Sequence, residues 1–238
     1  QLISWDGRYA DLYVVDAATG SRRLIEEQVR GGATISPGGQ YVTRWDGFET
    51  AWFATNTATG ERIDLTGSMG VPFHDLLDDH PAGWTEDDER FVVYDQFDIW
   101  AIDPTGQAAP KNLTEGVGRS TETRFRFIDL DSDDPVVPTT SDVYLNAFHL
   151  YTKENGVYRD RFDGTDEPEQ LIWDDARFRG FRMADNADVL AYTRSTFQEF
   201  PDLYVSGSDL VSGDDFADRE RVTRANPQQD EFLWGHRI

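Results

Sequence analysis

The side chains able to do covalent or acid–base chemistry are few in this chain. Four histidines, His74, His80, His149 and His236, are spread along 238 residues, and there is no cysteine. A hydrolase serine sits on a Gly-x-Ser-x-Gly elbow and works with a histidine and an acid. The nearest approach, Gly67-Ser-Met-Gly70, has the wrong spacing and follows Leu65-Thr66 in a turn. No catalytic residue and no substrate-binding residue is assigned. Two segments carry metal-ligating side chains. His74-Asp-Leu-Leu-Asp-Asp-His80 joins two imidazoles to three carboxylates. Its spacing fits neither His-Glu-x-x-His nor a zinc pair on one helical face, so a polar connecting loop is the better reading. Asp129-Leu-Asp-Ser-Asp-Asp-Pro135 opens like a calcium loop, with acids at Asp129, Asp131 and Asp133. It lacks the glycine and has Thr140 where the closing glutamate belongs, which favours a solvated hairpin turn. These five residues, His74, His80, Asp129, Asp131 and Asp133, are the metal candidates, and no cofactor is called for.

Charge narrows the partners. The net charge is −23, from 31 Asp and 14 Glu against 20 Arg and 2 Lys. Such a surface repels nucleic acid and anionic lipid, since no basic stripe is left to neutralise phosphates. No apolar run approaches the ~18 residues of a membrane helix, and no signal-peptide pattern opens the chain at Gln1-Leu-Ile-Ser-Trp5. Excess aspartate with almost no lysine suits high salt, where screening relieves self-repulsion. A GC-rich genome favouring arginine gives the same bias. The absent cysteines rule out disulfides and thiolate metal sites and leave the compartment open.

Whatever positions these residues is repetitive. One unit is a short strand, a turn and a glycine: Asp11-Leu-Tyr-Val-Val-Asp-Ala-Ala-Thr-Gly20, Ala51-Trp-Phe-Ala-Thr-Asn-Thr-Ala-Thr-Gly60 and Asp98-Ile-Trp-Ala-Ile-Asp-Pro-Thr-Gly106. Gly156-Val-Tyr-Arg-Asp-Arg-Phe-Asp-Gly164 is a looser copy, and Asp202-Leu-Tyr-Val-Ser206 a fifth without its Thr-Gly. The anchoring aromatics Tyr13, Phe53, Trp100, Tyr158 and Tyr204 lie 40, 47, 58 and 46 residues apart. They read as core between neighbouring sheets, not as a ligand cage. A turn and an alternating strand precede several copies, as in Ser36-Pro-Gly-Gly-Gln-Tyr-Val-Thr-Arg-Trp45, Thr85–Tyr94 and Ala184–Thr193. Proline presets φ in such turns and glycine accepts positive φ. No stretch shows helical spacing, which excludes βαβ units. A period of ~40–50 residues holding four short strands is the pattern of a propeller blade. The fold class is therefore all-β: a β-propeller of four-stranded antiparallel blades. About five are present, at approximately 1–32, 33–80, 81–138, 139–176 and 177–238, a later part of a seven- or eight-bladed ring. A stacked β-sandwich is disfavoured by the unequal spacing and the recurring Trp/Tyr.

The ordered set of motifs carries a family resemblance. Gly70-Val-Pro-Phe-His74, His80-Pro81, Ala82-Gly-Trp84, Val93-Tyr94, Asn112-Leu-Thr114, Thr152–Arg159, Phe200-Pro-Asp-Leu-Tyr204 and Asn226-Pro-Gln-Gln-Asp-Glu-Phe-Leu-Trp-Gly235 follow in sequence. This succession resembles the propeller of prolyl-oligopeptidase-family serine peptidases of the dipeptidyl- and acylaminoacyl-peptidase type, from about Asp11 to Gly235. The resemblance departs at Pro81-Ala82, where relatives carry extra residues. It implies a non-catalytic domain that gates short peptides toward an α/β-hydrolase domain following Ile238, in a bacterial protein of the cytoplasm, periplasm or exterior. The expected partners are that catalytic domain and peptide substrates, with neither nucleic acid nor membrane. Relatives hold a substrate amino terminus with paired glutamates. Glu26-Glu27 is the one adjacent pair here, yet it follows Arg22-Arg-Leu-Ile25 in an ordinary outer strand. The alternative is a stand-alone propeller that serves as a protein-interaction scaffold. A propeller glycosidase is weaker, because its Ser-x-Asp-x-Gly-x-Thr-Trp boxes are missing. An incomplete ring exposes sheet faces and edges, so self-association is expected of the isolated chain.

Overall fold

A computed structural model describes residues 8–73, 80–131, 133–206 and 219–235. The fold is all-β, a partial β-propeller built from consecutive meander sheets. The strands β1 (Ala10–Val15) and β2 (Arg22–Val29) form a two-stranded sheet. Four four-stranded sheets follow. The second holds β3 (Thr34–Ile35), β4 (Tyr41–Asp46), β5 (Ala51–Asn56) and β6 (Arg62–Asp64). The third holds β7 (Gly83–Trp84), β8 (Phe91–Tyr94), β9 (Ile99–Ile102) and β10 (Lys111–Asn112). The fourth is made of β11 (Thr123–Ile128), β12 (Val143–His149), β13 (Asn155–Asp160) and β14 (Glu169–Asp174). In the fifth are β15 (Arg177–Ala184), β16 (Ala187–Ser195), β17 (Asp202–Ser206) and β18 (Glu220–Arg221). The fourth sheet thus begins at Thr123, ahead of the boundary expected at residue 139. The cause is the connection between β11 and β12: residues 129–142 return the chain to pair Phe127 with Leu145, so β11 belongs to the sheet that follows it.

The recurring turn has one physical basis. Asp16 accepts the backbone N–H of Ala18 and Thr19 (2.8 and 3.0 Å), and Asn56 does the same for Ala58 and Thr59. Asp103 accepts from Thr105 and Ala108. These side chains imitate a backbone turn, and the glycines that close it, Gly20, Gly60 and Gly106, sit at φ 71, 79 and 69°.

The chain divides into two compact units, Gln1–Gln96 with Trp100–Lys111 and Pro135–Val137, and Phe97–Ile99 with Asn112–Asp134 and Pro138–Ile238. The first has a core of Tyr41, Trp52, Trp84, Phe91 and Val93, with Tyr41 and Trp84 stacked at 5.7 Å and 12°. In the second, Val157 and Ile172 pack with Phe178, Phe181, Leu190 and Tyr192. Of the repeated anchors, Phe53 is buried, Trp100, Tyr158 and Tyr204 are half-buried, and Tyr13 is 40% exposed. Among the described residues no helix is long and apolar enough to cross a membrane.

A second device closes the sheets, and it spans more sequence than any turn. Thr114 donates its hydroxyl to Asp98 Oδ1 (2.8 Å) and accepts the N–H of Ile99 (3.2 Å). Asp98 also takes the N–H groups of Gly118 and Arg119 (3.0 and 3.2 Å). Asp202 repeats the arrangement with Thr223 Oγ1 and Ala225 N–H, both at 2.8 Å, and with Arg221. Leu203 N–H in turn donates to Thr223 (2.9 Å). Thr66 accepts Trp52 N–H in the same way (2.9 Å), but Ala51 stands where the aspartate would be. Each clasp fastens the third strand of a sheet to the segment that closes it.

Candidate functional site

A cleft of about 710 Å³ lies in the first unit, between the glycine turn Gly31-Gly32 and the hairpin Trp45–Phe48. Arg44 on β4 is among the residues that line it. Only 7% of Arg44 is exposed. A buried guanidinium must be paired. Arg44 Nε donates to Glu26 on β2 (2.7 Å), and Nη2 reaches both Glu26 and Asp46, the latter at 3.0 Å. Arg62 extends the network to Asp46 (3.5 Å) and Glu49 (2.9 Å), with its guanidinium 3.5 Å from the centre of the Phe53 ring. Trp45 and Trp52 line the wall, edge to face at 5.9 Å, and Phe48 and Tyr9 stand exposed at the mouth.

Arg44 and Asp46 are held in their charged forms. The hydrogen bond to Glu26 raises the Arg44 pKa further, against desolvation. Burial pushes the Asp46 carboxyl up, but the N–H groups of Glu49 and Phe48 and the Arg44 guanidinium outweigh it, so its pKa is lowered. Neither Arg44 nor Asp46 releases or takes up a proton near neutrality, so this pair can bind and orient a ligand without acting as a general acid or base. An aromatic wall beside paired charges suits a ligand with an apolar face and polar ends.

The residues marked in the sequence fall in several places. His80 is exposed at the rim of this cleft, while His74 lies outside the described residues, as does His236. Asp129, Asp131 and Asp133 are exposed in the β11–β12 connection, where they cap their own chain. Asp129 accepts Asp131 N–H (3.1 Å) and Asp131 accepts Asp133 N–H (3.2 Å). Among the described residues no group of three or more His, Cys, Asp or Glu is placed to hold a metal ion. His149, at the end of β12, accepts the N–H groups of Tyr151 and Thr152 through Nδ1 (3.2 and 3.1 Å) and caps a turn. Glu26 and Glu27 do not act together: alternation on β2 sends Glu26 to Arg44 and leaves Glu27 exposed. Sequence reasoning passed over Arg44 and Asp46, whose signal was an arginine inside a strand otherwise reading as core.

It also passed over Asp160, the last residue of β13. This carboxyl is 5% exposed. Oδ1 accepts Arg161 N–H (2.6 Å), and Oδ2 has no hydrogen-bond partner among the described residues. Desolvation, with Asp163, Glu115 and Asp166 nearby, pushes its pKa up to about 7 against the Arg161 hydrogen bond.

No family model and no curated protein matches the chain. Among solved structures it is similar to TolB from Acinetobacter baumannii, with 12% identity over 84% of this chain and 47% of that one, at a TM-score of 0.44. The putative TolB from Agrobacterium tumefaciens shares 14% identity over 83% of this chain and 84% of the other, at 0.32. A prolyl endopeptidase, from work on two such enzymes and their inter-domain dynamics, shares 13% identity over 92% and 47%, at 0.24. The chain spans about half the length of the first and third of these. Likenesses this distant carry no activity, substrate or partner over to it.

Proposed function

We propose that the chain is the non-catalytic propeller domain of a serine peptidase of the prolyl-oligopeptidase type, controlling which short peptides reach a catalytic domain. The observation that supports this best is the last sheet. Phe200–Tyr204 and Arg221–Gln229, which carry the family resemblance, form one closed unit through Asp202, Thr223 and Ala225. The chain then returns over the β16–β17 connection, where Phe200 N–H donates to Gln229 Oε1 (3.2 Å) and Gln198 to the Gly235 carbonyl (3.1 Å). The role is steric, and the 238 residues themselves hydrolyse nothing. The test is to express the gene through codon 238 and beyond, and to treat both products with a fluorophosphonate serine probe and with short and folded substrates. The longer product should label and cut short peptides only, and should begin to cut folded proteins once residues 1–238 are deleted. Labelling of the 238-residue chain, or a longer product without a reactive serine, would end this reading.

A second reading, an interaction scaffold, draws on one feature. Phe197, Phe200, Phe232, Leu233 and Trp234 are all exposed around the same connection, between 47 and 104%. Exposed apolar surface of this kind docks proteins. A stop codon close after Ile238 would favour it.

A further inference from the structure

The first strand of the fifth sheet carries an arrangement that none of the foregoing uses. β15 reads Arg177-Phe-Arg-Gly-Phe-Arg-Met-Ala184. Strict alternation would put Phe178, Gly180 and Arg182 on one face. The register shows otherwise. Arg177 pairs with Ser195 and Arg179 with Thr193, then Arg182 pairs with Ala191, so β15 spends three residues where β16 spends two. The extra residue is a β-bulge at Gly180, whose φ of +65° is left-handed and suits glycine. Since Ser195, Thr193 and Ala191 share a face, so do Arg177, Arg179 and Arg182. Phe178 and Phe181 are both buried in the core on the opposite face.

All three arginines are exposed. Among the described residues no carboxylate pairs with any of them, although the chain carries 45 acids. Arg182 donates only to the Phe181 carbonyl (2.8 Å). Their cross-strand neighbours on β16 are a serine, a threonine and an alanine, none of which neutralises them. β15 is also a terminal strand of its sheet, with β16 on one side and no ladder on the other among the described residues.

We propose that the open edge of β15 binds an extended acidic peptide segment by adding it as a strand, with Asp or Glu at alternate positions facing Arg177, Arg179 and Arg182. The chemistry follows from two periods. Strand side chains recur on one face about every 6.6 Å, and an added strand brings its own alternate side chains directly opposite those of its neighbour, where opposite charges attract. The arginine fork suits carboxylates in particular. A short peptide is favoured over a long polyanion by the charge of −23. At physiological salt the Debye length is about 8 Å, so a short ligand meets the local guanidinium column, while a nucleic acid or an anionic bilayer also meets the acidic remainder. The proposal does not depend on a catalytic domain.

The test is fluorescence anisotropy with the whole chain at 0.15 M salt and a labelled eight-residue peptide bearing glutamate at every second position. Controls are a peptide of the same composition with its glutamates contiguous, a single-stranded oligonucleotide, and phosphatidylserine vesicles. The alternating peptide should bind, and the contiguous one at least fivefold more weakly. The triple variant Arg177→Gln, Arg179→Gln, Arg182→Gln should weaken binding at least tenfold with an unchanged far-ultraviolet circular dichroism spectrum. Arg177→Lys, Arg179→Lys, Arg182→Lys should restore part of it. Absence of binding by the parent chain, equal binding of the two peptides, or an unaffected glutamine variant would each overturn the proposal. So would oligonucleotide or vesicle binding as tight as the peptide's and lost in the same variant. Each of these outcomes would leave the arginines and the bulge as protection of a sheet edge.

Discussion

Two sets of buried aspartates in the second unit are alike in exposure and opposite in surroundings. Asp98 and Asp202 are 1 and 4% exposed, and Asp160 is 5% exposed. The clasp residues are surrounded by donors: a threonine hydroxyl and one or two backbone N–H groups each, with an arginine added at Asp202. Burial raises the Asp202 carboxyl, but Ala225 N–H, Thr223 and Arg221 outweigh it and the pKa is lowered. Asp160 has one N–H and an orphaned oxygen, and its pKa is pushed up to about 7. Burial sets the size of the stakes, and the count of donors decides which protonation state the fold prefers.

The sharpest way to break this comparison is Asp98→Ala. It removes the acceptor of Thr114, Gly118 and Arg119 in a closed site, so chemical denaturation should show a loss of about 3–5 kcal/mol. A loss under about 1 kcal/mol would mean that the clasp is ornamental. Next in size is Asp160→Asn. Because the folded pKa is raised, the proton-linked stability is complete below the ordinary value of 3.8 and is lost as pH rises through about 7. The linkage is of order 4 kcal/mol in total, at 1.36 kcal/mol per pK unit. The asparagine variant should therefore be more stable than the parent at pH 8, by about 2–4 kcal/mol, and nearly equal to it at pH 4. Identical pH profiles for the two would refute it. Asp202 works on the other limb. Its stabilisation is present above 3.8 and lost as pH falls through its lowered folded value, so Asp202→Asn should flatten the acid arm of a melting-temperature profile and leave the alkaline arm unchanged. Smallest are the threonines. Thr223→Val, with a carboxylate at stake, should destabilise by about 1–2 kcal/mol, and Thr66→Val, opposite Ala51, by about 1 or less. Equal values would detach the aspartate from the clasp.

The local periods were readable in the sequence: the Asx-type turns with their glycines, the alternating strands, and the third strands that follow Asp98 and begin at Asp202. Each is fixed by side chains two to five residues apart. Arg44 with Glu26, and Asp98 with Thr114, are not of this kind. Their partners lie 18 and 16 residues away and are brought together only by sheet pairing. Asp160 lies inside the loose copy of the repeat at Gly156–Gly164 and is unmarked there, because an orphaned oxygen is a property of its surroundings. The boundary expected at residue 139 falls inside the fourth sheet, since the loop from 129 to 142 is longer than a usual hairpin connection and separates β11 from the β12 with which it pairs. The face shared by the three arginines was hidden too, because one glycine resets the alternation.

One contact in the first unit bears on how such a chain can change over evolutionary time. Asp88, in the turn before β8, accepts the hydroxyl of Ser36 (2.6 Å) and the N–H groups of Gly38 (2.8 Å) and Gln40 (3.1 Å), all in the turn of the preceding sheet. A side chain at Gly38 would collide with it, since a Cβ there lies 2.8 Å from Asp88 Oδ2. The turn of the second sheet is thus completed by an atom encoded some 50 positions later, inside the third. Gene duplication that copied the second sheet alone would deliver a turn with a hole in it. The unit that can be cut and pasted is offset from the sheet that the eye picks out.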